Sequence, residues 1–584
     1  MITVRAAHVW ALIAALMMGT LVIPDSLDVG LSSLGAPPAQ AQGAARPVGL
    51  GTVQRVTLTP VRHVAALAPA PRLSTSQREA MILRKLEIRE RVALQSPPPA
   101  RGEVGRLTAP VPETRLAPAR LPHGNPADFV IGNNVQNPRA NDPALGSTLA
   151  EPAAANNGRR ILAAGNFDHL EYSLNTGTTW TNKPLPAGPP DAPNVCCDHD
   201  IVFDDARRVF FHSTLYVNSA VTNGIVRIFV YREVDAAAAC FYDVDIADVV
   251  NPGTNILMDY PHLGLTNEFL YLSTNDIPAG TGPAQAARMW RLSIDEMVDC
   301  VTAPASFYTW PIDTEGQRVW VPAQGTNTRS SMYWAHQGPD TTQLRVFRWR
   351  EADASPENVL RTVDASTFGN PDCRGGVNNT DFIGSTNAGP FGFQLRGAFG
   401  DGRLLFIWQV AGDASHTQGH MHAALFRIGP LPDAAPFNPV LIAQPHIFNN
   451  SFCFGFGHLA ANKRGDFGLS IVAGGQAGGG GSAATPYVSL DDDYSPGGRD
   501  GFFGTIFGPT VMSTHNRSDG RFGDYFTTQV WEPCEKWFLT TSYGYVGGSA
   551  LANVDSRYTE FGRNRDYKCW RNWRFRRPGP WDLP

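Results

Sequence analysis

From about residue 127 onward, apolar and polar positions alternate over short runs punctuated by Gly, Asn, Asp and Pro. This period of two is the mark of half-buried strands, and the runs recur as a unit. In each unit a first strand is followed, after a turn, by a second strand rich in aromatic residues. Units start near Glu151, Asp200, His262, Val321, Arg396, Gly457 and Tyr525, spaced 49, 62, 59, 75, 61 and 68 residues apart. Small twisted sheets that bury their faces only against their neighbours give such a repeat. The pattern therefore predicts an all-β chain, a β-propeller of seven four-stranded blades. Six blades is the alternative, because the units at Val321 and Arg396 are the least regular. Phe129-Val130-Ile131, ahead of the first unit, is placed to complete the last blade.

Upstream the pattern changes. Residues 42–125 are rich in Pro, Ala and Arg and are expected to be extended or disordered. Within them Ser76 to Leu94 predicts a short amphipathic helix, with Ser76 and Glu79 as a capping box and Ile82, Leu83, Leu86 and Val92 as its apolar positions. Such a helix packs on the body or frays in solvent, and binding a partner is the alternative. Residues 1–41 have the form of an export signal: Arg5, an apolar run from Ala6 to Ile23, and Ala39-Gln40-Ala41 for cleavage. An uncleaved anchor is the alternative reading. The mature chain, residues 126–584 with their tail, has no later apolar run long enough to span a bilayer and is expected to be secreted or periplasmic.

All eight cysteines lie beyond the signal, and an even number in an exported chain predicts disulfides. Cys196 and Cys197 are adjacent, and the strain of a bond between neighbours leads us to expect distant partners for each. No cysteine spacing matches a zinc site. Charged residues make up only 17% of the chain and the net charge is -5, which excludes a global footprint for nucleic acid. A monomer is expected.

The stretch Ser173-Leu174-Asn175-Thr176-Gly177-Thr178-Thr179-Trp180 reads as a hairpin turn between two strands. Its spacing resembles the Asp-box, Ser-x-Asp-x-Gly-x-x-Trp, of sialidase-like β-propellers, with Asn175 in the Asp place. Asp259-Tyr260-Pro261-His262, the run from Asn516 to Tyr525, and Phe456 to Gly474 resemble recurring segments of secreted bacterial members of that superfamily. The resemblance covers about Glu151 to Tyr545 and implies a fold shared by hydrolases, lyases and binding proteins. Sialidases proper use an arginine triad, a Tyr-Glu pair and an aspartate acid. The Arg-Ile-Pro motif that carries their first arginine is absent, and Arg396, Arg517 and Arg521 stand as the arginines for a carboxylate clamp.

In such a fold the loops leading into the first strands converge on one rim. There the chain places Asp198, Asp200, Asp259 and Asp524 as candidate acids and bases of a glycoside hydrolase-like site. Tyr260, His262, His458, Arg521 and Tyr525 are the candidate ligand-binding residues. The expected function is recognition of a glycan or glycoconjugate, with hydrolysis as its enzymatic extension, and no cofactor is predicted. A non-catalytic binding or scaffold propeller is one alternative. A metalloenzyme is another, with His199, His262 and His458 holding a transition metal on the axis, and His336, His420 and His422 in other units. Gly474 to Ser482 lacks the Lys-Ser/Thr of a phosphate loop and is expected to be mobile. Asp491-Asp492-Asp493 reads as a solvated turn, and the Trp- and Arg-rich end from Trp570 to Arg577 as rings packed on an outer face.

Overall fold

Strands such as Val209–Val217 (VFFHSTLYV) and Ile256–Leu265 (ILMDYPHLGL) are buried at every position, so each is covered on both faces. That burial follows from the way small antiparallel sheets lie face to face. The computed structural model describes residues 51–62, 64, 67–95, 128–137, 151–246, 255–278, 286–311, 319–326, 329–339, 342–363, 372–383, 395–413, 416–428, 436–491, 507–518, 520, 522–550 and 553–575. The export signal expected over 1–41 lies outside them, as do Arg521, Asp492 and Asp493.

Sheet one is formed by Ala153–Asn157, Arg160–Ala164, Leu170–Ser173 and Thr181–Asn182. Sheet two follows with Asn194–Asp204, Val209–Val217, Gly224–Tyr231 and Cys240–Val244, and sheet three with Ile256–Leu265, Phe269–Pro278, Ala286–Ser293 and Ala303–Pro311. A parallel pairing of Gly224 with Leu257 joins these two along one edge. The fourth sheet has three strands, Ser331–Gln337, Gln343–Arg350 and Glu357–Thr362. Sheet five contains Arg396–Gly400, Arg403–Val410 and His420–Arg427, whose outer edge is shared by Val440–Ala443 and His446–Ile447. Cys453–Ala461, Phe467–Gly474, Thr485–Leu490 and Gly508–Pro509 make sheet six. Sheet seven combines Thr527–Trp531, Trp537–Tyr545 and Val554–Arg563 with Phe129–Asn137, so the early strand does complete the last sheet.

The first strands of sheets one, two and three touch in order, those of five, six and seven do likewise, and seven returns to one. Between sheets three and five the neighbour is not a regular strand. The start expected near Val321 falls on an irregular segment, in which Gln324 Nε2 donates to the Leu263 carbonyl at 2.8 Å and Gln324 N to the Gly397 carbonyl at 2.9 Å. With Phe399 N donating back to the Gln324 carbonyl at 3.0 Å, a side chain and one isolated parallel bridge thus replace a ladder there.

The described part of the Pro/Ala-rich tail, within 51–95, is built into the body rather than extended or disordered. Thr52–Leu58 pairs antiparallel with Ala303–Pro311 of sheet three, and Pro60–Arg62 with the last strand of sheet two. The helix runs from Thr75 to Gln95, and its capping box lies two residues ahead of the expected one: Gln77 N donates to Ser74 Oγ at 3.3 Å and Ser74 N to Gln77 Oε1 at 2.8 Å. Of the four apolar positions expected to anchor it, Ile82 is buried and Leu83 is exposed; the side chains of Leu86 and Val92 lie outside the described residues.

The Ser173 turn closes as its residue types require. Ser173 Oγ accepts from Asn175 N at 3.2 Å and Gly177 N at 2.8 Å, and Asn175 Oδ1 accepts from Thr179 N at 2.9 Å. The left-handed positions are Thr176 and Gly177, with φ 60° and 82°, while Asn175 serves as the cap. Gly474 to Ser482, expected to be mobile, is tied to Arg374 by backbone bonds from Gln476 N at 2.9 Å and from Arg374 N at 3.1 Å. Asp491 is not solvated: it is buried and accepts the Phe467 N–H at 2.8 Å.

Four disulfides join Cys196 to Cys197, Cys240 to Cys300, Cys373 to Cys453 and Cys534 to Cys569. The first corrects the expectation that adjacent cysteines would part. The register of Asn194–Asp204 breaks between Val195 and Cys197 and again between Cys197 and Asp200, so the alternation that sends neighbours to opposite faces is lost there.

The carboxy-terminal helix, Tyr567–Phe575, packs its rings on sheet seven. Trp570 stacks on Trp537 with centroids 4.8 Å apart, donates from Nε1 to Glu560 at 2.7 Å, and carries the Arg574 guanidinium over its ring at 4.9 Å. Replacing Trp570 with Ala removes a stacked, fully packed ring and leaves Glu560 short of a donor. We expect it to lower stability by about 3–5 kcal/mol, read as a shift of the urea unfolding midpoint.

Candidate functional site

Three first strands carry the same irregularity. Two residues oppose one at Asp198-His199 in sheet two, Tyr260-Pro261 in sheet three and Phe456-Gly457 in sheet six. The first residue of each bulge is left-handed, with φ 56° at Asp198, 59° at Tyr260 and 54° at Phe456. Such conformations cost about 1–3 kcal/mol each for side chains of this kind and persist where the surroundings hold them. Two residues beyond each stand Asp200, His262 and His458, at equivalent places on the continuing strands. Glu151 and Gly523, with φ 28° and 144°, stand in the same relation to Ala153 and Tyr525.

The bulges turn side chains towards a common centre, and what fills that centre comes from the tail. The Thr75–Gln95 helix buries a stripe made of Arg78, Met81, Ile82, Lys85 and Ile88. Its apolar members share one cluster with Phe167, Cys196, Cys197, Leu257, Tyr260, Val321 and Tyr525. Arg78 pairs with Asp168 at 3.1 Å and lies over the Phe167 ring. Lys85, 1% exposed, forms salt bridges to Asp259 at 2.7 Å and, more closely, to Asp198, and its Nζ lies 3.5 Å from Cys197 Sγ.

Further carboxylates lie beside Asp198. One oxygen each from Glu151, Asp198 and Asp524 lies within 4.8 Å of the other two, and all three residues are buried. Asp524 N donates to Glu151 Oε1 at 2.8 Å, Asn166 donates to Glu151 Oε2 at 2.8 Å, and Tyr260 N donates to Asp198 at 3.2 Å. The Tyr260 hydroxyl receives the Arg396 guanidinium and donates to the Asp524 carbonyl at 3.4 Å.

The other expected site residues are placed around this core. Asp200 accepts the Ile201 and Leu263 N–H groups, both at 2.8 Å, and so pins sheet two to sheet three. Burial raises its carboxyl to about 7, against the opposing pull of those two bonds. His262 lies edge-on between Tyr260 and Tyr525, with centroids 4.5 and 4.9 Å away, and its Nδ1 is 3.5 Å from the Asp200 carboxylate. Tyr525 donates to the His199 carbonyl at 3.0 Å, and burial together with Asp198 and Glu151 holds its phenol well above the usual range.

His199 uses both ring nitrogens. Nε2 lies 2.9 Å from the Phe167 carbonyl, to which it donates, so Nδ1 accepts from His212 Nε2 at 2.9 Å. Burial lowers its pKa to about 3, and it lowers those of His262 and His458 well below the usual value. His458 Nδ1 accepts the Thr528 N–H at 3.1 Å. Among the described residues, groups of three metal-ligating side chains within 4.8 Å are Glu151/Asp198/Asp524 and His416/His420/His446, not His199, His262 and His458. His336 is bound to Trp320 Nε1 at 2.8 Å within a cluster of rings. Arg517 is half-buried on the segment before the last sheet.

Sequence reasoning missed Glu151 and Lys85. Glu151 was legible as the expected start of the first unit, two residues ahead of Ala153 as Asp198 and Tyr260 are two ahead of Asp200 and His262. Lys85 was legible only as part of a stripe spaced 78, 81, 82, 85 and 88, which mixes cations with apolar residues.

No protein-family model matches the chain, and no curated protein sequence matches it. Among solved structures, the α-L-arabinanase of Penicillium chrysogenum aligns over 74% of this chain and 98% of its own, at 10% identity and a TM-score of 0.34. The intramolecular trans-sialidase of Ruminococcus gnavus aligns over 75% and 98%, at 10% identity and a TM-score of 0.35. An α-L-arabinofuranosidase of Fusarium graminearum aligns over 74% and 97%, at 10% identity and a TM-score of 0.35. At these values the alignments assign no activity to the chain.

Removing one member of a buried ion group leaves its partners uncompensated. Lys85→Met is expected to lower stability by about 3–5 kcal/mol, and adding Asp198→Asn and Asp259→Asn to recover more than half of that loss. Urea unfolding of the single, double and triple variants measures the coupling.

Proposed function

We propose that this protein is an exported seven-bladed β-propeller of the sialidase-like type that recognises a glycan at its acidic centre. The observation that carries this reading is the buried ion group of Asp198 and Asp259 on the Lys85 ammonium, with Glu151 and Asp524 beside Asp198 and the rings of Tyr260 and Tyr525 edge to face close by. Carboxylates accept from sugar hydroxyls, and aromatic rings offer faces to the apolar side of a pyranose or furanose. Lys85 Nζ, with its three N–H donors, takes the place that ligand hydroxyls would take. A glycan therefore binds when the Thr75–Gln95 helix withdraws. The four disulfides support an exported location, and no helix of the described residues is long and apolar enough to cross a membrane.

Hydrolysis is the second reading, favoured by the spacing of Glu151, Asp198 and Asp524. Hydrolysis of this kind needs a protonated carboxyl beside an ionised one, and like charges this close disfavour ionisation of all three at once. A retaining pair stands about 5–5.5 Å apart and an inverting pair about 6.5–9.5 Å; oxygens within 4.8 Å of one another lie on the retaining side.

A glycan panel scored separately for capture and cleavage tests both. Folded Lys85→Gln is expected to capture its glycan at least tenfold more tightly than the wild type, and Lys85→Gln/Asp524→Asn to lose that gain. If the wild type and folded Lys85→Gln both capture nothing, the glycan reading is wrong. Capture without cleavage by either removes the hydrolytic one.

A further inference from the structure

A second concentration of chemistry lies away from the centre, on the outer edge of sheet five. His420 and His422 are alternate residues of one strand and share a face. The short strand His446–Ile447 pairs with that edge so that His446 stands opposite His422. A fourth ring joins the group, that of His416, whose carbonyl accepts the Asp413 N–H at 2.7 Å. His416 stacks on His446 with centroids 4.8 Å apart, His422 stacks on His446 at 4.3 Å, and His416 and His420 are 4.6 Å apart.

Ring stacking alone does not account for where the nitrogens point. His420 Nε2 lies 3.2 Å from His446 Nδ1, and one nitrogen of His416 comes within 4.8 Å of both. Two imidazole nitrogens bound to one tetrahedral ion at about 2.0–2.1 Å stand roughly 3.3 Å apart. A hydrogen bond between His420 and His446 would explain that pair and leave the other two rings unexplained. His422 is fully buried, and neither of its nitrogens has a hydrogen-bond partner, an arrangement that costs stability unless something else engages the ring.

The surroundings fix the rings as metal ligands are fixed. His420 Nδ1 lies 3.2 Å from the Gln418 carbonyl, to which it donates, so the bare lone pair is on Nε2, facing the group. His416 Nδ1 lies 3.5 Å from the Asp413 carboxylate, the orienting partner that ligating histidines commonly have. Trp408 backs His422 at 4.6 Å and Phe448 covers His416 at 4.3 Å. His416 and His446 are half-buried, which leaves a path from solvent.

We propose that His416, His420 and His446 bind a borderline divalent transition metal of the zinc or copper class, with His422 as the fourth ring of the site. Imidazole nitrogens without thiolates or a carboxylate cage select ions of this class over calcium or magnesium. The ion would pin the His446–Ile447 strand to the edge of its sheet. Its place is distinct from the acidic centre, so the site stands or falls independently of glycan binding.

The test uses the tag-free full chain, stripped with chelator and dialysed, and titrated with Zn²⁺ and Cu²⁺ by calorimetry alongside elemental analysis. One equivalent is expected to bind and to raise the thermal midpoint. His416→Gln and His446→Gln, both at half-exposed positions, are expected to lose at least tenfold in affinity while their metal-free midpoints stay at the wild-type value. Co²⁺ binding gives a visible absorption band in a tetrahedral nitrogen site, and the band should vanish in both variants. A wild type that binds neither ion, or binding that survives both substitutions, overturns the proposal.

Discussion

The centre of this molecule is arranged around one buried ammonium. Taking Lys85, Asp198 and Asp259 out of water costs several kcal/mol per ion, and attraction offsets that cost only where geometry and added hydrogen bonds are good. Both conditions depend on backbone distortions. Asp198 reaches the ammonium because its residue is left-handed, and the Tyr260 N–H reaches Asp198 because Tyr260 is left-handed too. Each bulge is a local cost that the ion group offsets, and the ion group forms only if both bulges do. The helix, the two bulges and the packing of sheet two on sheet three therefore stabilise one another as a unit.

Much of the sheet order was legible because strand period and turn residues are local signals. The expected starts fall on or beside the first strands of sheets one, two, three, five, six and seven. Val321 is the exception, since Pro322 has no N–H to give a ladder, and Gln324 joins sheets three and five by one backbone bridge and its side chain. The helix was legible, but its cap was displaced: Ser74-x-x-Gln77 and Ser76-x-x-Glu79 both fit the pattern. Which is used depends on where the buried stripe begins, at Arg78.

The centre was half legible. Asp198, Asp259, Tyr260, Asp524 and Tyr525 converge because a common strand start puts them at comparable heights. Their contacts were not legible, for two physical reasons. A lysine on a charged helix reads as solvent-facing unless its partners, more than a hundred residues away in sequence, are known. A bulge also breaks the alternation on which facing is inferred, and Cys196 and Cys197 bond at such a break, where the strain of a bond between neighbours had led us to expect distant partners.

One backbone device with different side chains also gives the centre a direction. The bulge places an acid in sheet two and a tyrosine in sheet three, whereas in sheet six it places Phe456, which packs on Phe382 and Phe522 in an apolar group. Glu151 and Asp524 extend the acidic side through sheets one and seven. Carboxylates thus crowd one part of the wall while aromatic carbon lines another. The helix obeys this asymmetry, directing Lys85 to Asp198 and Asp259 and its aliphatic residues to the neighbouring rings and sulfurs. Any molecule that replaced the helix would meet the same field, and would bind with its hydrogen-bond donors towards sheets two and three. The backbone sets where groups point, and the residue at each bulge sets what they can bind.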